Sequence, residues 1–457
     1  MQRKFMIRAT YSPFAARILL FFTAAFVTMA HAAIDITNID ALIEQSINTH
    51  PLINAAKADE KASELQVTVA KRNQLPIPTI STTLGDSSGT TGVNLRQPLW
   101  TGGRLTANIN QAIYADKAAQ ARIDEQQNSI AKNTLDIWQT YIYAIALQQL
   151  YHQNLKKLSE FEAMMQRRVK QGVSARIELD LITNRILQDQ TAFQAATEQQ
   201  RIAQARLYQL TGEPVTNRNI DLFRLSQAIK PKIVDIENDL FQQAPINNPS
   251  LVKQYYQIEA AKQQVKSQSA NLYPTIYTEY SYNYNHKTHE DDGQLMLGLD
   301  YSPGAGFSRM VETKVYEAQV ESLKQNQQAT QRTLIETLQT QYQQIIGKRD
   351  QERSLIASIA GARMVSDSYG RQFIAGRKSW LEVLNAIREQ AQYEQQLLQT
   401  QSQLLAGFYK LQIDLGQMSW QQNHHTINEV SLYDPSKRIK NWLKDKQDEL
   451  VEPSDHL

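Results

Sequence analysis

The chain is written twice. His50-Pro51-Leu52 is echoed by Asn248-Pro249-Ser250-Leu251, Pro78-Thr79-Ile80 by Pro274-Thr275-Ile276, Gly172 by Gly376, and Leu210-Thr211-Gly212 by Asp414-Leu415-Gly416. The echoes stay about 200 residues apart, far beyond the roughly 20 to 50 residues of a solenoid unit. The pattern is that of two fused copies of one structural unit, so whatever the unit does is done in pairs.

The first residues stand outside this repeat. Arg3, Lys4, Arg8 and Arg17 precede an apolar run from Ile18 to Met29 that ends at Ala30-His31-Ala32, the layout of a secretory signal peptide. The run is short of the ~20 residues that a bilayer-spanning helix needs. The mature chain is therefore expected to start near Ala33, outside the cytoplasm. Those four basic residues carry the formal charge from −2 to +2, so the remainder has no basic footprint for nucleic acid. Cysteine is absent, which excludes disulfides, thiolate catalysis and cysteine metal sites. Stability must come from packing or oligomerisation.

Two segments in each copy have opposite periodicities. Ile80, Thr82 and Leu84 alternate with Thr79, Ser81 and Thr83, and after the turn-rich stretch Gly85 to Gly92, Val93 and Leu95 alternate with Asn94 and Arg96. In the second copy Ile276, Thr278, Tyr280, Tyr282 and Tyr284 share a face, and past the loop Asn285 to Gly293 so do Leu295, Leu297, Leu299 and Tyr301. Period-two alternation predicts hairpins. One face is apolar and aromatic, which fits either a sandwich core or a lipid-facing barrel wall.

The helical segments are much longer than a globular domain needs. From Gly103 to Val169 one helix of roughly 65 residues would run on the order of 100 Å. Ile137, Tyr141, Ala144, Tyr151, Leu155, Leu158, Met165 and Val169 recur on it at threes, fours and their sums, as a packed seam requires. In the second return helix Leu384, Ile387, Ala391, Glu394, Leu398, Gln401, Leu405 and Phe408 keep a strict alternation, and the Glu and Gln predict a seam that stays partly wet. The shorter helices add up, two by two, to the length of the long one beside them.

The boundaries read as a signal peptide over 1–32 and a first repeat over 33–212, with hairpin 78–98, long helix 103–170 and return helix 175–211. A linker over 213–248, with small ordered elements, leads to a second repeat over 249–416, with hairpin 275–302, long helix 306–374 and return helix 378–415. Residues 417–457 are a further segment and a polar tail. The expected fold class is mainly α with β-hairpins, which are membrane β if their apolar face meets lipid.

If the hairpins lie in a membrane, their edges must close, because unpaired amides in hydrocarbon cost several kcal/mol each. Four strands cannot close alone, since single-chain barrels use about eight or more. The strands must then be shared between protomers, with helical hairpins continuing the tube below.

Gln97-Pro98-Leu99-Trp100-Thr101-Gly102-Gly103 after a strand, the Gly-led returns at Gly172 and Gly376, and the duplication itself resemble the TolC family of outer-membrane efflux proteins. The resemblance covers nearly the whole mature chain. It implies a homotrimer with a twelve-stranded β-barrel in outer-membrane lipid, continued by a periplasmic α-helical barrel. It also implies a periplasmic adaptor (membrane fusion) protein and an inner-membrane transporter as partners, no cofactor and no enzyme activity. Tyr301-Ser302-Pro303-Gly304-Ala305-Gly306 and Phe373-Ile374-Ala375-Gly376-Arg377-Lys378-Ser379-Trp380-Leu381-Glu382-Val383-Leu384-Asn385 are similar to a subgroup serving type I secretion of large surface adhesins, where the transporter is of ABC type. Small-molecule efflux is the alternative within the family.

By the same resemblance, Glu178 and Lys378 would lock the periplasmic mouth and Glu382 would form the ring carboxylate. Asn385 stands where a second carboxylate is usual, and Phe373 replaces a tyrosine. Gly172 and Gly376 would be the helix-turn tips. The barrel wall would present Ile276, Tyr280, Tyr282, Leu295, Leu297 and Leu299 to lipid. Read without the family, Glu178 and Lys378 are an ordinary solvated pair, worth about 0 to 1 kcal/mol.

Weaker signals have plainer readings. Gly85-Asp86-Ser87-Ser88-Gly89 matches a hydrolase elbow but falls inside a hairpin loop, without the helix that such an elbow opens. His286, His289, Glu290, Asp291 and Asp292 read as a solvated loop before a metal site, as does His424-His425. Trp138, Trp380 and Trp420 read as packing anchors. Two readings from other classes compete. A periplasmic adaptor predicts one helical hairpin where this chain has two, and an exported coiled-coil enzyme lacks a convergent catalytic set.

Overall fold

The computed structural model describes residues 35–85, 89–215, 220–239 and 248–427. The expected signal peptide, part of the first hairpin loop, parts of the linker and the tail from 428 onward lie outside them.

The two copies match element by element. Helix α1 (Ile39–Thr49) leads into α2 (Pro51–Arg72), strands β1 (Ile77–Leu84) and β2 (Gly89–Trp100), and helices α3 (Arg104–Lys170) and α4 (Arg176–Thr211). Linker helix α5 (Leu222–Asp239) precedes α6 (Pro249–Ala270), β3 (Thr275–Asn285), β4 (Asp291–Asp300), α7 (Ser308–Ile374) and α8 (Trp380–Leu415). Helices α2 and α6 have 22 residues each, α3 and α7 have 67, and α4 and α8 have 36. The echoed dipeptides explain the starts. His50 Nδ1 accepts the Leu52 N–H at 3.2 Å and Asn248 Oδ1 accepts that of Ser250 at 3.1 Å, each ahead of a proline at the first helical position, where its missing donor costs nothing.

The strands form one antiparallel sheet in the order β1-β2-β3-β4. Strand β2 starts at Gly89, earlier than side-chain alternation suggests, because Gly89 to Gly92 pair through their backbones with Leu84 to Ser81. For the same reason β3 and β4 extend to Asn285 and from Asp291. Register places Ile80 opposite Val93, Val93 opposite Tyr282, Leu95 opposite Tyr280, and Tyr280 opposite Leu295. Directly opposed residues share a face, so one apolar face runs across all four strands, with Leu297 75% exposed and Leu295 73%. The other face is polar, and there Arg96 pairs with Asp300 and lies over the Tyr277 ring. Among the described residues no helix is long and apolar enough to cross a membrane.

At the junction of β2 and α3, Gly102 (φ +59°) leaves no room for a side chain, since a Cβ would come within 2.8 Å of Tyr273 Cβ and 3.0 Å of the Ala270 carbonyl. The helices then form a wall. Near the sheet its order is α2-α3-α6-α7, and farther down it is α4-α3-α8-α7. The main core lies midway, where α1 and the far ends of α4 and α8 pack on α3 and α5 packs on α8, and Trp138 is fully buried with its indole N–H donating to the Ile36 carbonyl at 2.8 Å. Gln401, expected on a partly wet seam, is instead 1% exposed and donates to buried Glu352 at 3.0 Å. Protein rather than water satisfies that polarity.

Candidate functional site

Both long hairpins turn back through the same motif at the end of the wall far from the sheet. Gly172 (φ +72°) and Gly376 (φ +71°) are left-handed. Val173 N–H donates to the Arg168 carbonyl at 2.9 Å and Gly172 N–H to that of Val169 at 3.0 Å, while Arg377 and Gly376 repeat the pattern onto Gln372 and Phe373. These are Schellman caps, in which glycine avoids the strain of a Cβ at positive φ. A Cβ at either position would meet nothing within 4 Å. The requirement is therefore conformational, and the tips stand clear of the rest of the chain.

Beneath the tips lies a second apolar cluster, separate from the main core, of Leu158, Met165, Ile182, Phe373, Trp380 and Val383. The Trp380 ring lies 5.1 Å from that of Phe373 and 5.5 Å from that of Phe161. Arg168 Cζ sits 4.8 Å over the Phe373 ring while its Nε donates to Ser174 Oγ at 3.1 Å, so this guanidinium bridges the two tips. Phe373, considered for the mouth because it replaces a tyrosine, is buried in this cluster. Among the described residues the buried indole N–H of Trp380 finds no hydrogen-bond acceptor.

The charged candidates arrange differently from one another. Lys378 Nζ donates to Glu382 Oε1 at 2.6 Å and lies 4.5 Å over the Tyr369 ring. Glu382 Oε2 accepts the Ser379 N–H at 3.0 Å and hydroxyl at 2.9 Å, closing a capping box at the start of α8. The Lys378 hydrogen bond first, then those from the Ser379 backbone and hydroxyl, bring the Glu382 carboxyl down to about pH 2, and the same bond raises the Lys378 ammonium. Glu178 lies in the first turn of α4, half-buried, and has no ion pair among the described residues. Asn385 is exposed one turn beyond Glu382. Within one chain, then, Lys378 and Glu382 are brought together, and Glu178 is not joined to them.

The capping box was legible as Ser379-x-x-Glu382, and so was the i, i+4 spacing of Lys378 and Glu382. Arg168 carried no such signal beyond being basic in the last turn of α3, since its role depends on how the two hairpins pack. At the opposite end, His286 Nε2 and Thr91 Oγ1 lie 2.8 Å apart, and His289 Nδ1 lies 3.1 Å from the Tyr284 hydroxyl. Among the described residues no three metal-ligating side chains are grouped to hold an ion.

A sequence profile described as outer membrane efflux protein matches residues 42–213 and 240–417, one match per copy of the repeat. The chain belongs to the outer membrane efflux protein family. Membership in this family makes it an outer-membrane transport conduit rather than an enzyme, and it sets aside the adaptor and coiled-coil enzyme readings. No curated protein sequence matches it. Its fold is shared with the outer-membrane channel OprN (15% identity, TM-score 0.71, 85% of this chain and 91% of that one). The same holds for VceC of Vibrio cholerae (14%, 0.70, 83% and 96%) and for the open state of the MtrE channel of Neisseria gonorrhoeae (14%, 0.67, 83% and 88%).

Proposed function

We propose that three copies of this chain close into one continuous duct, the outer-membrane exit of a tripartite system for type I secretion of a large protein such as a surface adhesin. The observation that carries the duct is the pair of open edges on each protomer. Helix α7 has packed neighbours on one side only, α6 above and α8 below, and α2 and α4 form the opposite margin of the wall. Exposed apolar residues line both margins at matching heights. Leu65 and Val69 on α2 face the level of Val311 and Val315 on α7, and Leu187 on α4 that of Met364. The sheet has the same property, since among the described residues β1 and β4 each lack a partner on one side. Three sheets of four strands would close a barrel with its apolar face toward outer-membrane lipid.

The helical part would reach across the periplasm and end at the two tips. There Glu178, Lys378, Glu382 and Asn385 surround the mouth, with Phe373 packed in the cluster behind them. The duct is passive. Docking of an adaptor and an inner-membrane transporter of ABC type supplies the free energy that separates the hairpins.

The adhesin reading rests on the Tyr301 to Gly306 turn and the Phe373 to Asn385 tip. In that turn Gly304, Gly306 and Phe307 all take positive φ before α7 begins. The family description favours a second reading, efflux of small molecules. Comparing surface and culture-fluid proteins of a deletion strain with its parent separates the two. Loss of one very large surface protein is the expected result, and an unchanged surface with increased drug sensitivity would replace export of a protein by efflux.

A further inference from the structure

Glu352 on α7 has no solvent exposure, yet it takes no part in the tip or the sheet. Its Oε1 accepts from Ser226 Oγ at 2.7 Å and from Gln401 Nε2 at 3.0 Å, and Lys230 Nζ lies 2.8 Å from Oε2. Ser226 and Lys230 belong to α5 and Gln401 to α8, so a single carboxylate ties three helices together. Burial of a carboxylate carries a desolvation cost that only well-placed partners offset. What the arrangement provides is a fixed point.

Around that point the apolar packing of the wall is interrupted. The main core ends at Ala146 on α3, Ala203 on α4, Ile346 on α7 and Leu398 on α8. The tip cluster begins at Leu158, Ile186, Tyr369 and Ile387 on the same four helices. The gaps fall at one level of both hairpins and are longest on α7, on the order of 30 Å of helix. Buried positions within them alternate between polar groups (Asn154, Asp189, Ser366, Gln390) and apolar side chains that join neither cluster (Leu150, Leu355). Asn154 Nδ2 is buried there without a hydrogen-bond partner, as is Arg185 Nε at the margin. Such a stretch holds its helices together less firmly than a continuous apolar seam.

Helix α7 also carries a glycine in the middle of this gap, Gly361, whereas α3 and α4 contain none. A Cβ at Gly361 would meet nothing within 4 Å. Close packing within the chain therefore does not require the glycine, which weakens the helix relative to alanine.

We propose that the α7–α8 hairpin bends over residues 353–368, centred on Gly361, with the Glu352 anchor fixing the upper end of the bend and the Phe373–Trp380 turn shifting below it against Phe161 and Arg168 of α3. This rests on the reading of the tips as the duct's closure, and it names the place from which they move. Gly347, which also has open space around it and lies on the anchored side, supplies the control.

The test is amide hydrogen exchange on the assembled full-length protein in detergent, paired with single-channel conductance. Residues 353–368 are expected to exchange at least tenfold faster than 147–157 of α3. Gly361→Ala is expected to slow them about fivefold, the glycine-to-alanine helix preference expressed as an equilibrium, and Gly347→Ala to leave them unchanged. Glu352→Gln, which removes the charge facing Lys230, should extend fast exchange upward from 352. Equal exchange in the two segments would overturn the proposal even in a conducting channel. Failure of Gly361→Ala to assemble would also overturn it, by assigning this glycine to a contact between copies. A protein that never conducts would instead remove the duct reading.

Discussion

Trp380 concentrates two opposed demands in one side chain. Its ring fills the tip cluster between Phe161 and Phe373, while its indole N–H is buried with no acceptor. Trp380→Ala should cost about 3 to 5 kcal/mol through the cavity it leaves, seen as a lower melting temperature and faster exchange over residues 369–384. Trp380→Phe, which removes the orphan donor as well as some volume, should cost much less. At the proposed mouth, Glu178 has no ion-pair partner among the described residues, and an incoming hairpin could supply one. Charge reversal Glu178→Lys is expected to raise the conductance of the closed, correctly assembled trimer in planar bilayers; unchanged conductance would remove Glu178 from the closure. Lys378 and Glu382 show what residue patterns reveal. Their local bond was written in the sequence as a capping box and an i, i+4 pair, but the family position pointed each of them toward other partners. Arg168 was illegible because a cation over a ring depends on how two hairpins approach, and no local pattern encodes that.

Among the elements, helix starts, helix ends and sheet faces were the most legible, because each follows from a few adjacent residues: a cap before proline, a glycine at positive φ, an alternating face. The ends of β2 and β3 were less so, since backbone pairing there outruns side-chain alternation. Helix α5 runs through Pro231, although proline removes a helical hydrogen bond, and packing of Ile229 and Ile233 into the main core outweighs that local preference. The segment after α8 folds back over α3. Gln421 donates to Asn128 Oδ1 at 2.8 Å, and both the backbone N–H and Nδ1 of His425 meet Asp124 Oδ2, at 2.7 and 2.8 Å. The hydrogen bond to Asp124 raises the His425 pKa, while burial lowers that of His424, with Lys117 and Glu60 also acting on His425. The raised group contributes fully below the ordinary histidine pKa of about 6.5 and loses its contribution as pH rises through its folded value. The lowered group contributes above about pH 6.5 and loses its share as pH falls. Amide exchange of residues 417–427 should therefore become faster on raising pH in His424→Ala, after correction for intrinsic rates, and faster on lowering pH in His425→Ala. The same direction in both variants would refute the opposed assignment.

For the whole molecule, the duplication foretold paired hairpins, but not the order of helices in the wall. That order depends on α6 and α8 inserting between α3 and α7, contacts between distant parts of the chain. The absence of cysteine makes the open margins simple to test. Leu187→Cys with Met364→Cys places one thiol on each margin, each roughly 15 Å from its tip at 1.5 Å per residue. Oxidation should yield covalent trimers on a denaturing gel, and monomers alone would contradict the proposed closure. The two 67-residue helices differ in how much of themselves they bury within one protomer, 23 residues on α3 against nine on α7. Helix α7 packs on α6 and α8 along one side only, so in the proposed trimer its other side is covered by a neighbour and the protomer's stability is tied to subunit association. Its melting temperature should rise with protein concentration, and dilution should release α7 before any other part of the wall.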